Sequence, residues 1–147
     1  MTLSEYVKKI NGVPIGNSNS LRNNLYKSLG AKNFSTFWNF WNPIFGYYLG
    51  LKIFKPLKKI LPNAFAIIFT FIFCGLIHDL VTTFLRGKVS LFFTVWFLIM
   101  ALGVVISKRV NYNQANKNWT IRAFTNLSII TICLLLTLYL NEMLNFY

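Results

Sequence analysis

Three long apolar runs dominate the second half of the chain. They cover residues 64–85, 90–107 and 123–140, and the middle run contains no charged residue. A helix needs about 20 mostly apolar residues to cross a bilayer, with about 17 as the lower limit. None of the runs alternates apolar and polar residues in the manner of a barrel strand. The pattern predicts an all-α, multi-pass transmembrane helical bundle with about three spans.

The segment before these runs is aromatic in its first half and basic in its second half. It covers residues 34–61, and Pro43 and Pro56 interrupt it. Trp and Tyr side chains favour the headgroup level of a membrane, where basic amphipathic helices also lie. We therefore expect one or two interfacial or re-entrant amphipathic helices here. A fourth, shallow span over residues 40–54 is the alternative.

These patterns divide the chain into three predicted parts. Residues 1–33 form a polar N-terminal cytoplasmic segment, residues 34–61 the interfacial segment, and residues 62–147 the transmembrane domain. The first part has no apolar run of signal-peptide length, so we expect no cleaved signal peptide.

Composition and charge also favour a membrane location. Hydrophobic residues make up 55% of the chain and charged residues 12%, and Lys plus Arg total 15 against 3 acids. Every base except Arg86 and Lys88 lies before the first run or between the second and third runs. The positive-inside rule then predicts a cytoplasmic N-terminus and a C-terminus on the outer side of the membrane. The Lys- and Asn-rich composition indicates that this membrane is a bacterial inner membrane. Because the bases flank apolar runs, we expect anionic lipid headgroups as partners and no nucleic acid.

His78, the only histidine, lies inside the first apolar run. A charged side chain at the bilayer centre costs about 2.5 kcal/mol or more, so such residues face a protein interior or a watery cavity. Histidine is also the side chain most readily used as a general base near neutral pH. The alternative is a structural histidine that bonds a neighbouring helix. Asp79 points about 100° away on a helix, so we expect it to meet Arg86 or Lys88 rather than to orient His78.

Three further residues near the membrane allow more than one interpretation. Cys74 lies four residues before His78 on the same helix face, so a Cys–His nucleophile pair is conceivable, but apolar surroundings favour an inert thiol. Asn42 can hold a backbone turn ahead of Pro43, or it can donate a hydrogen bond to a substrate carbonyl. Gly75 allows another helix or an acyl chain to approach closely.

The two cysteines are far apart and form no Cys/His cluster, so no metal site is expected.

Two motifs in this order resemble the core of the membrane-bound O-acyltransferase (MBOAT) superfamily. They are the run from Trp38 to Pro43, WNFWNP, and the run from Phe73 to Asp79, FCGLIHD. That family pairs an F-W-x-x-W-N-like stretch with an intramembrane histidine a few tens of residues later, and its members move an acyl group, often from acyl-CoA, to a hydroxyl. The resemblance covers about residues 30–107. It implies that His78 is the catalytic base and Asn42 its upstream polar partner, with Trp38 and Trp41 as a substrate-binding frame.

The sequence therefore carries two functional hypotheses. The favoured one is an enzyme without a cofactor that transfers an acyl group from acyl-CoA or another thioester to a hydroxyl, with Lys52, Lys55 and Lys59 attracting the anionic donor. The alternative is a non-catalytic small membrane subunit or assembly factor in a larger complex. Typical family members have eight or more spans, so this chain is a minimal relative that acts as a homo-oligomer, a relative that has lost activity, or one part of a split protein that a partner membrane subunit completes.

Overall fold

The computed structural model describes residues 1–144, and all of its regular secondary structure is helical. This confirms the predicted all-α class. The helices are α1 (Leu3–Asn11), α2 (Ser20–Leu29), α3 (Phe34–Phe40), α4 (Pro43–Leu49), α5 (Lys55–Ile60), α6 (Asn63–Arg86), α7 (Phe92–Arg109) and α8 (Trp119–Leu144), with a π-helical turn over Gly50–Phe54 between α4 and α5.

The three predicted spans correspond to α6, α7 and α8. Each of the three is long and apolar enough to cross a membrane, as expected for an integral membrane protein. Their 24, 18 and 26 residues correspond to lengths of about 36, 27 and 39 Å at the α-helical rise. α8 begins four residues before the predicted run at residue 123. Hydropathy misses this first turn because its Thr and Arg side chains are polar, although they are compatible with a helix at the headgroup level.

α6 and α7 are antiparallel and pack closely at the point where α7 begins. A Cβ atom added to Gly75 on α6 would lie 2.6 Å from the Cα of Thr94 and 2.8 Å from the carbonyl oxygen of Phe93. Only a residue without a side chain therefore allows the first turn of α7 to lie against α6 at this distance. The sequence-based expectation that Gly75 admits another helix is confirmed.

The N-terminal helices dock against the end of the bundle where α6 and α8 begin and α7 ends, which we call the basic end. The amide of Asn126 on α8 donates to the carbonyl oxygens of Leu29 and Ala31, at 2.8 and 3.0 Å. The indole of Trp119 donates to the carbonyl of Tyr26 at 2.9 Å and stacks on its ring. The carbonyl of Tyr26 also accepts from the N–H of Gly30, so it has two donors, and the bonds together tie the end of α2 to the start of α8.

α3 packs into the bundle through its aromatic side chains. Phe34 and Phe37 are 0% and 2% exposed, and they share a core with Phe97, Met100 and Val104 of α7. The polar residue at the start of α3, Asn33, accepts from the backbone N–H and the hydroxyl of Thr36 and so caps the helix. The aromatic stretch thus lines the inner side of the three long helices.

α4, the π-helical turn and α5 form one continuous helix from residue 43 to residue 60 beside α6. Pro56 has no N–H to donate to the carbonyl four residues earlier, and its ring crowds that carbonyl. The helix widens just before it, where the N–H of Lys55 bonds the carbonyl of Gly50, five residues earlier. Lys52, Lys55 and Lys59 all lie exposed along this helix. The suggested fourth span over residues 40–54 is not among the helices that meet the length and composition of a span in the described part of the chain.

Gly75→Ala tests the close contact between α6 and α7. We expect a loss of about 1–3 kcal/mol in the free energy of unfolding, because the added methyl group meets backbone atoms that cannot rotate away. Gly50→Ala is the matched control: its Cβ meets no atom within 4 Å and its backbone is helical. It should leave stability unchanged or raise it by up to about 1 kcal/mol. Thermal unfolding in detergent measures both, and equal melting temperatures would contradict the packing described.

Candidate functional site

A cavity of about 330 Å³ lies between α3, α4, α6 and α7. Four of the residues predicted for the site line it: Trp38, Trp41, Asn42 and His78. These residues come from two motifs about 40 positions apart, and the fold brings them to one surface. Lys52, Lys55 and Lys59 are not among the residues that line the cavity.

The imidazole ring of His78 is held by its own helix. Its Nδ1 lies 2.8 Å from the carbonyl oxygen of Cys74, one turn earlier. A carbonyl oxygen can only accept a hydrogen bond, so Nδ1 must carry the proton. In the neutral ring, Nε2 then has an unshared electron pair, and within residues 1–144 no protein group donates to it. This is the tautomer that a general base requires at Nε2.

Aromatic rings fix the orientation of the imidazole. The ring centroid of His78 lies 5.1 Å from that of Phe97, 5.5 Å from that of Phe93 and 6.2 Å from that of Phe45. Phe93 and Phe97 belong to α7, and Phe45 belongs to α4. The ring is therefore held between two helices, and its position depends on how α6 and α7 pack.

Asp79 sets that packing, and this role was not expected from the sequence. Its carboxylate is 3% exposed and accepts three hydrogen bonds from the start of α7. The donors are the N–H of Phe93 at 2.9 Å, the N–H of Thr94 at 2.7 Å and the hydroxyl of Thr94 at 2.6 Å. The expectation that Asp79 meets Arg86 or Lys88 is wrong, because free N–H groups at a helix N-terminus bind a carboxylate as well as a cation does.

Asn42 forms the turn between α3 and α4. Its backbone is left-handed, with φ of 42°, and its side-chain oxygen accepts from the N–H of Phe45 at 3.2 Å. Asn tolerates this backbone better than most residues, and Pro43 fits the first position of the following helix. The turn-forming interpretation of Asn42 is confirmed. Its side-chain NH₂ group is not used by this cap, and Asn42 lines the cavity, so a role towards a substrate is compatible with it.

The two tryptophans have different surroundings. Trp38 packs edge-on against Phe71, with ring centroids 5.0 Å apart, and lies 6.0 Å from Phe97. Trp41 stacks on Phe37 and remains 39% exposed. Trp38 is thus part of the inner wall of the cavity, and Trp41 lies at its rim beside Asn42.

The sequence prediction did not include two further residues of the cavity wall. Lys108, in the last turn of α7, and Tyr6 of α1 both line it. Burial raises the pKa of the Tyr6 phenol above its ordinary value. From the sequence, Lys108 could not be distinguished from the other bases between the second and third apolar runs, because hydropathy marks only where a helix leaves the apolar layer. No feature of the sequence distinguishes Tyr6 from the rest of the polar N-terminal segment.

Cys74 does not form a nucleophile pair with His78. Its Sγ lies 4.0 Å from Nδ1, and that nitrogen already donates its proton to the Cys74 carbonyl. A protonated nitrogen cannot remove a proton from the thiol. Among residues 1–144, no group of three or more His, Cys, Asp or Glu side chains is placed to hold a metal ion.

No protein-family model, curated protein or solved structure matches this chain.

Asp79→Ala tests the anchoring of α7. The change leaves two backbone N–H groups and a hydroxyl without their acceptor, so we expect a loss of about 2 kcal/mol or more in unfolding free energy. The control is Glu142→Ala, which removes an exposed carboxylate near the end of α8. Chemical denaturation in mixed micelles compares the two, and a loss for Asp79→Ala no greater than that of the control would contradict the anchor.

Two substitutions of Asn42 separate its cap from its backbone conformation. Asn42→Gly keeps the left-handed conformation and should cost only a few tenths of a kcal/mol. Asn42→Ala loses the cap and also adds the strain of a left-handed backbone, about 1 kcal/mol or more in addition. We therefore expect the melting temperature to be highest for the wild type, slightly lower for Asn42→Gly and lowest for Asn42→Ala. An Ala variant as stable as the Gly variant would contradict the turn geometry.

Proposed function

We propose that this chain is a membrane O-acyltransferase that moves an acyl group from a thioester donor to a hydroxyl acceptor, with His78 as the general base. One observation carries the proposal. The Nδ1 of His78 is fixed by the Cys74 carbonyl, and the same ring borders a cavity that it shares with Trp38, Trp41 and Asn42. The motif resemblance assigns these four residues to the reaction, and their shared cavity supports that assignment.

The proposed step needs one base and one hydrogen-bond donor. Nε2 of His78 takes the proton of the acceptor hydroxyl while its oxygen attacks the thioester carbonyl. A tetrahedral intermediate forms, its C–S bond breaks, and the leaving thiolate takes the proton from the imidazolium. The products are an ester and a free thiol, and the neutral histidine is restored. The side-chain NH₂ group of Asn42 is the proposed donor to the carbonyl oxygen as negative charge develops there.

The cavity walls match the apolar part of such a donor. Ile67 and Phe71 of α6, Phe97 of α7 and Leu49 of α4 give it an aliphatic and aromatic surface. Lys108 adds a positive charge at the basic end, where an anionic donor such as acyl-CoA would enter. Lys52, Lys55 and Lys59 are exposed and do not line the cavity, so their proposed contribution is long-range attraction of the donor or of anionic lipid headgroups.

The proposed orientation follows from the same charges. The basic end carries the bases of α5, the end of α7 and the start of α8, and the opposite end carries Arg86 and Lys88. We place the basic end in the cytoplasm and the end of α8 outside, in a bacterial inner membrane. A cytoplasmic thioester and an acceptor from within the membrane or from outside could then meet at His78.

A second candidate function is supported by the exposed turn between α3 and α4. Asn39, Trp41 and Asn42 are exposed there, and Phe45, three residues later, lies against His78. Irregular backbone at the depth of a transmembrane helix is tolerated where protein or a watery cavity covers it. A membrane partner subunit that covers this turn would fit the alternative of a non-catalytic subunit, or of an enzyme completed by a partner.

Acyl transfer by the purified protein, with labelled acyl-CoA donors and a panel of hydroxyl acceptors, tests the catalytic assignment. His78→Asn is the informative variant, because the Asn amide can still donate to the Cys74 carbonyl but has no basic nitrogen in place of Nε2. We expect it to lower the rate by about 10²-fold or more. Phe84→Ala, an exposed position on the same helix, is the control that should retain the wild-type rate.

Three results of that assay have different meanings. Transfer that survives in His78→Asn would rule out the general-base role. Loss of transfer in both His78→Asn and Phe84→Ala would indicate a folding defect, which melting temperatures identify. Absence of transfer by the wild type with every donor would favour the subunit hypothesis.

A further inference from the structure

A second cavity, of about 120 Å³, lies at the end of the bundle opposite the basic end. It is formed by the end of α6, the connection to α7 and the first turn of α7. Its walls are Thr82, Arg86, Lys88, Ser90, Phe92 and Phe93. The two bases that the chain places at this end, Arg86 and Lys88, therefore meet at one small cavity.

Among residues 1–144, no carboxylate neutralises Arg86 or Lys88. Asp79 is the nearest acid along α6, and its oxygens are already bonded to Phe93 and Thr94. Within residues 1–144, no ion pair forms with Arg86 or Lys88. Since Asp79 takes the N–H groups at the start of α7, attraction for an anion here comes from the two side chains and not from the helix terminus.

The two hydroxyl groups of the cavity have distinct roles. Ser90 Oγ accepts from the N–H of Phe92, so its own proton is available to a ligand. The hydroxyl of Thr82 donates to the carbonyls of His78 and Asp79, so it offers the ligand lone pairs only. The cavity thus presents one guanidinium, one ammonium and one neutral O–H donor.

We infer that this cavity binds the phosphate group of a phosphate ester. The guanidinium of Arg86 can bind two phosphate oxygens side by side, while Lys88 and Ser90 can bind the others. A volume of about 120 Å³ is large enough for one such group, given about 30 Å³ for a water molecule in the liquid. The rings of Phe92 and Phe93 give the esterified carbon an apolar surface. The ester is either the headgroup of an anionic phospholipid or a soluble phosphate ester, and the site does not depend on the acyl-transfer proposal.

Fluorine NMR of protein labelled with 5-fluorotryptophan tests this site. The chain has 4 tryptophans, so each signal can be assigned by single substitution. Trp96 packs on Phe92 and Phe93, at 6.3 and 6.1 Å between ring centroids, and reports on the cavity. Trp119 stacks on Tyr26 at the basic end and reports on phosphate bound there. The protein is titrated in phosphatidylcholine nanodiscs with glycerol 1-phosphate in one arm and with phosphatidylglycerol in the other, at constant ionic strength.

We expect the Trp96 signal of the wild type to shift in a saturable way as ligand is added. The affinity for the ligand should be at least about tenfold weaker in Arg86→Gln/Lys88→Gln than in the wild type. Arg109→Gln/Lys117→Gln removes one Arg and one Lys that are exposed near the basic end, and it should bind like the wild type. A shift in both arms identifies phosphate itself as the ligand, and a shift in the lipid arm alone identifies the lipid headgroup. An unmoved Trp96 signal in both arms, or equal affinity in Arg86→Gln/Lys88→Gln, would overturn the inference. Unchanged Trp38 and Trp41 signals show that each variant is folded.

Discussion

The carboxylate of Asp79 bonds to the first turn of α7, and the position of His78 depends on this contact. Adjacent residues on a helix point about 100° apart, so fixing Asp79 against α7 also fixes the direction in which His78 points. Gly75, one turn before Asp79, lets the two backbones come close enough for these bonds. Phe93 and Phe97 follow along α7 and hold the imidazole ring. A carboxylate in an apolar helix is costly unless its oxygens are bonded, and here three donors satisfy it.

The aromatic segment completes the cavity because Asn42 and Pro43 redirect the chain. α3 enters the bundle through Phe34 and Phe37, and the left-handed residue Asn42 turns the chain into α4. The helix that follows runs beside α6, so that Phe45 lies against His78. A short, rigid turn thus brings the WNFWNP motif to the same surface as the intramembrane histidine.

Hydropathy was sufficient to predict α6, α7 and α8, because about twenty apolar residues in lipid have few alternatives to a helix. The cap at Asn42 could be predicted because Asn before Pro is a local signal. The partner of Asp79 could not be predicted, because backbone N–H groups have no residue identity in a sequence. Lys52, Lys55 and Lys59 are exposed and do not line the cavity, because helical spacing alone does not tell which way a side chain points. Lys108, in contrast, was not predicted for the site, because it is an ordinary charge at the end of a helix, yet the fold brings it to the cavity.

The tautomer of His78 tests the central claim most directly, because the proposed general-base role requires an unprotonated Nε2 while Nδ1 remains bonded to the Cys74 carbonyl. The chain has 1 histidine, so ¹⁵N-histidine labelling gives one pair of ring resonances without ambiguity. Solid-state ¹⁵N NMR of the protein in lipid bilayers at pH 8 distinguishes a protonated from an unprotonated ring nitrogen. We expect a proton on Nδ1 and none on Nε2. A proton on Nε2, with Nδ1 bare, would contradict it.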